Sequence, residues 1–162
     1  MKVLLINTFD IGGAANSCTR LHQGLLSIGT DSQLLIKQRN RDDLRYIEHF
    51  QSSHERAIGF KLKKGFDYLM RGIGMSGVRP NPRNLTSGQM KRLKNRPPGS
   101  DFFSFIDTPY NILESKAYKE ADIINLHWVA DFLDWKTFFS KNTKPLVWTL
   151  HDQAPFLGGG HY

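Results

Sequence analysis

Cysteine is almost missing from this chain of 162 residues: Cys18 is the only one. That excludes an intrachain disulfide and any metal site built on two or more thiolates, and it fits a reducing cytoplasm. Long apolar runs are missing as well. The stretch after Met1-Lys2, Val3 to Ile6, is too brief for a secretory signal or a membrane span, and no later run approaches 18 apolar residues. A soluble or peripheral cytoplasmic protein is expected. Acidic residues are in deficit, 15 against 22 Lys and Arg, for a formal charge of +7. Such a balance favours anionic partners such as nucleotide phosphates, lipid head groups or nucleic acid, without choosing among them.

What is present is an alternation of apolar strands and amphipathic helices. Val3-Leu4-Leu5-Ile6-Asn7 reads as a central parallel strand buried on both faces. Ala14, Cys18, Leu21, Leu25 and Ile28 recur at helical spacing and predict a helix face that Gly29 ends. Gln33 to Ile36 predicts a second strand, which completes a β-α-β unit. Further on, Ile112 to Glu120 predicts a helix, Asp122 to Leu126 a buried strand, Trp135 to Phe139 a short helix, and Pro145 to Leu150 another strand. The expected fold class is therefore α/β, an open parallel Rossmann-like sheet flanked by helices, in one domain over residues 1–162. A two-lobed enzyme needs about twice this length.

The middle, residues 38–109, reads as a basic inserted region. Within it Ala57, Ile58, Phe60, Leu62, Phe66, Leu69, Met70 and Ile73 interleave with Lys61, Lys63, Lys64 and Arg71. This pattern fits a helix packing its apolar side on the sheet, or an interfacial patch drawn to an anionic bilayer.

Ligands of open α/β sheets bind beyond the carboxyl ends of the strands. Gly12-Gly13 follows the first strand, where backbone amides at a helix start could approach a phosphate or a sugar, or simply make a tight turn. The G-x-G-x-x-G spacing of dinucleotide sites is absent, and Lys37 stands where a ribose-binding acid would be. His127-Trp128 and His151-Asp152 each follow a later strand, so both histidines are candidates to reach one crevice and hydrogen-bond a phosphate or a sugar hydroxyl. A histidine metal site that includes His161 lacks the H-x-x-x-H or carboxylate spacing such sites use. No metal is expected.

Gly12-Gly13-Ala14-Ala15 with Arg20-Leu21-His22, Ala121 to Trp128, and Lys144 to Asp152 followed by Gly158-Gly159-Gly160-His161-Tyr162 together resemble family 4 retaining glycosyltransferases. The likeness is to those of bacterial polysaccharide assembly, including the colanic acid type. It covers residues 1–37 and 121–162, the middle matching only in kind. The resemblance implies the N-terminal, acceptor-side half of a GT-B fold, with the nucleotide-sugar as co-substrate, no cofactor and no catalytic metal. It implies a glycan or lipid-linked acceptor, and peripheral contact with the inner face of the membrane is open to it. Carried over, His151 falls near the reacting sugar, and Gly12 and Gly13 fall beside the donor phosphates. His127, Trp128, Asp152, Gly158 and Gly159 are further candidates for substrate or donor contact. Gln153-Ala154 and Gly160 depart from the family pattern at an acceptor-side pair and at a frequent cysteine. The donor-binding C-terminal lobe, with its E-x7-E pair, does not follow Tyr162, so the chain is expected to be inactive alone. A non-catalytic half-cleft subunit of a two-chain transferase is the alternative, as is a basic module that binds a membrane surface or nucleic acid, with little DNA binding expected.

Overall fold

The computed structural model describes residues 1–50, 87–95 and 103–161. The chain divides into two compact units, residues 1–50 with 101–162, and residues 51–100. In the second unit the described residues form α2, Ser87–Lys94, whose last turn carries Lys91, Arg92 and Lys94, the sign of charge that suits a helix C-terminus. The amphipathic pattern between Ala57 and Ile73 lies outside the described residues.

The first unit is built on a parallel sheet of five strands: β1 (Lys2–Phe9), β2 (Asp31–Gln38), β3 (Ile47–His49), β4 (Ile123–Leu126) and β5 (Leu146–Trp148). They lie side by side in the order β3-β2-β1-β4-β5, with β1 central, so the α/β Rossmann-like expectation holds. Both faces of β1 are covered, which is why its sequence is apolar without alternation. Leu4 and Ile6 join Leu35, Ile124, Leu126 and Phe132 in one core, while Val3 and Leu5 meet Cys18, Leu34 and Leu44 in the other.

Helix α1 (Gly13–Ser27) buries a different stripe from the expected one. Ala15, Cys18, Thr19 and His22 face the sheet, whereas Leu21 and Ile28 are 39% and 76% exposed. The buried set follows the i, i+3, i+4, i+7 rule as well as the apolar set does, but includes two polar residues that a hydrophobicity count rejects. His22 is admitted because both ring nitrogens are satisfied, Nδ1 by Ser32 Oγ at 2.8 Å and Nε2 by the Arg45 carbonyl at 3.0 Å.

Two other elements depart from expectation. Strand β3 lies within the stretch read as an inserted region; it is short and exposed enough to carry Glu48 and His49, so no apolar run marks it. The expected helix from Ile112 to Glu120 is two pieces, a 3-10 turn at Ile112–Glu114 and α3 at Lys116–Glu120. Ser115 between them is extended and caps α3, its Oγ accepting from Tyr118 N at 3.1 Å. Helix α4 (Trp135–Lys141) starts on an Asp134 cap that accepts from Thr137 N at 2.8 Å, and α5 (Ala154–Leu157) ends at Gly158 with φ of 64°. No helix among the described residues is long and apolar enough to cross a membrane.

Candidate functional site at the carboxyl edge of the sheet

Because the strands are parallel, the segments after β1, β2, β4 and β5 all leave by one edge. Buried amides tie them together. Asn7 at the end of β1 accepts from Trp128 N through Oδ1 at 2.8 Å and donates to the Phe9 carbonyl at 2.5 Å. Asn125 in β4 accepts from Thr149 Oγ1 at 3.0 Å. Asp10, itself buried, accepts from Asn40 N, Asn40 Nδ2 and Arg41 N at 2.7, 2.9 and 2.7 Å, which fixes the turn after β2 against the turn after β1.

His127 and His151, from the ends of β4 and β5, stack with centroids 5.2 Å apart and share a hydrogen bond of 2.9 Å between Nδ1 of the first and Nε2 of the second. One ring donates and the other accepts, so the pair works only if at least one ring is neutral. Burial, and then the charge of His151, push His127 down to about 4. Burial lowers His151 too, although Asp152 opposes it. At neutral pH the pair is therefore uncharged. His127 Nε2 is buried with no hydrogen-bond partner among the described residues; a buried polar atom left without one costs on the order of 1–3 kcal/mol.

Next to this pair stands a carboxylate clamp. Asp152 Oδ2 accepts from Trp128 Nε1 at 2.7 Å and is also hydrogen-bonded to His161 Nδ1, while Oδ1 accepts from Ala154 N at 3.0 Å. The other nitrogen of His161, Nε2, meets Ser104 Oγ at 2.7 Å. His161, Asp152 and Ser104 are all nearly inaccessible, so these bonds form away from competing water.

His127, Trp128, His151, Asp152 and Gly159 line one shallow hollow, together with Ser104, Trp135, Trp148 and His161. Its volume, about 20 Å³, suits roughly one water molecule. All three tryptophans of the chain line it, and among the described residues no Lys or Arg does. Gly12, Gly13 and Gly158 are not brought to it. Gly12 has φ of 101° and ψ of 176°, a backbone almost reserved for glycine, and its surroundings are open, as are those of Gly13. Gly158 and Gly159 have structural work to do: the first caps α5, and a Cβ on the second would stand 2.2 Å from the Ser104 carbonyl oxygen. Ser104 escaped the sequence reading because its partner lies 57 positions away and no local pattern marks it. Among the described residues no group of three His, Cys, Asp or Glu could hold a metal ion.

Comparison with protein-family models, with curated proteins and with solved structures finds no match for this chain.

Proposed function

We propose that this chain is the acceptor-side domain of a retaining glycosyltransferase of the two-lobed GT-B type, acting on a glycan or lipid-linked acceptor opposite a donor-binding lobe. The observation that carries the reading is the convergence of His127-Trp128 and His151-Asp152, from the ends of two neighbouring strands, on one hollow lined by every tryptophan of the chain. Indole faces and neutral imidazoles suit a ring that is apolar on its C–H faces and hydroxylated at its rim. Among the described residues the hollow is lined by the Asp152 carboxylate and by no Lys or Arg, which does not favour a phosphate there, so the open Gly12-Gly13 turn at the start of α1 is the better place for the donor's phosphates. His151, half-buried and held by His127, is the group we assign to the hydroxyls of the reacting sugar. Exposed Ile11, Leu150, Phe156 and Leu157, on segments leaving the same edge, suit a surface that another lobe covers.

The test is release of nucleoside diphosphate from a panel of nucleotide sugars, with glycan acceptors present, by this chain joined to a donor-binding lobe of a family 4 enzyme. Turnover that His151→Ala lowers by about 100-fold is expected. Absence of turnover with every donor, from a joined protein that still folds and binds nucleotide, would overturn the reading.

A further inference from the structure

Ser104 and His161 touch neither His127 nor His151 through any hydrogen bond described above, yet they are connected to them through Asp152. Asp152 follows His151 directly in the chain. A carboxylate can only accept, so the ring nitrogen facing it, His161 Nδ1, carries the proton. In the neutral ring Nε2 is then the acceptor, and Ser104 Oγ–H donates to it across 2.7 Å. Trp128 Nε1–H is the second donor on the same carboxylate oxygen, at 2.7 Å. The backbone makes this arrangement rigid. Gln153 N donates to the His161 carbonyl at 3.1 Å, Ser104 N donates to the Gly159 carbonyl at 3.0 Å, and Phe103 bridges Gly160 in antiparallel fashion. The absence of a side chain at Gly159 is what permits this approach.

We infer that Ser104 and His161 are positioning residues: a relay running from the Ser104 hydroxyl through His161 to the Asp152 carboxylate fixes the orientation of His151 and of the Trp128 indole. A carboxylate held from three directions, by Trp128, His161 and Ala154 N, cannot rotate without breaking a buried hydrogen bond. The turn that carries His151 is fixed with it. Such outer partners set ring orientation and tautomer wherever a histidine is used for binding or proton transfer. This assignment rests on the Proposed function only for what the site acts upon; the relay itself is a property of the unliganded chain.

Nitrogen-15 spectra of the imidazoles and the indole proton resonances of the full 162-residue chain test it at neutral pH. His161 in the wild type is expected to be the Nδ1–H tautomer with an unprotonated Nε2. Ser104→Ala is expected to mix the His161 tautomers and to shift both the Trp128 indole proton and the His151 ring nitrogens, while Ser104→Thr, which keeps the hydroxyl, restores all three. A purely structural role lowers the melting temperature without moving those resonances. An Nε2–H tautomer in the wild type would overturn the inference with no variant needed. So would a folded Ser104→Ala protein whose Trp128 and His151 signals stay in place. Because no ligand is added, failure here is distinct from failure of sugar transfer.

Discussion

Glycine and histidine carry the sharpest consequences at the scale of single residues. Gly159 has φ of 120° and no room for a Cβ beside the Ser104 carbonyl, so Gly159→Ala is expected to cost roughly 2–4 kcal/mol, read as a lowered urea midpoint. Gly12→Ala meets open space and suffers only from backbone strain, about 1–3 kcal/mol. Gly13→Ala meets neither obstacle and should leave stability unchanged or slightly raised. Loss of nucleotide binding in a stable Gly13→Ala protein would therefore report on ligand contact rather than on folding. Cys18, whose thiol burial pushes up to about 12, is expected to resist a disulfide reagent until the chain unfolds.

Acid should destabilise the protein through three histidines. His22, His127 and His151 are all lowered by burial below the ordinary 6.5, so the folded chain binds fewer protons than the unfolded one. Their contribution is fully present above about pH 6.5 and is lost as the pH falls, down to about 4 for His127. His127 alone accounts for about 3 kcal/mol between those limits. Urea midpoints that fall between pH 7 and pH 4.5, with a smaller fall in His127→Gln, are the expected result; a flat profile would contradict the burial of these rings.

At the scale of elements, legibility followed how local the determining force is. Strand β1 was legible because burial on both faces demands an unbroken apolar run, and Leu5→Ala in it is expected to cost about 2–5 kcal/mol by chemical denaturation. The stripe of α1 departs from the apolar pattern because it takes in Thr19 and His22, and His22 is buried by virtue of partners farther along the chain, Ser32 and the Arg45 carbonyl, which no periodicity reveals. Strand β3 was missed since three residues at a sheet edge need little apolar side chain. The break at Ser115 was a capping decision, which an apolar count over residues 112–120 averages away.

For the whole molecule, parallel topology explains why part of the site could be anticipated. Any residue just after a strand of such a sheet arrives at one edge, so His127-Trp128 and His151-Asp152 were legible as a pair of strand ends. Their closure into a clamp was not, because Ser104 and His161 enter from outside the strand ends, and the pairing of residues 103 and 160 is set by tertiary packing. The same topology separates the tryptophan-lined hollow, which carries the Asp152 carboxylate, from the open glycine turn.

Contact of a neutral sugar ring with the tryptophan-lined rim of the hollow is read by following the indole resonances of Trp128, Trp135 and Trp148 while the chain is titrated with neutral saccharides and, separately, with inorganic pyrophosphate. Saturable shifts of these indoles are expected with at least one saccharide, abolished in His151→Ala, with no comparable response to pyrophosphate. Indoles that respond to pyrophosphate and to no saccharide would contradict such contact.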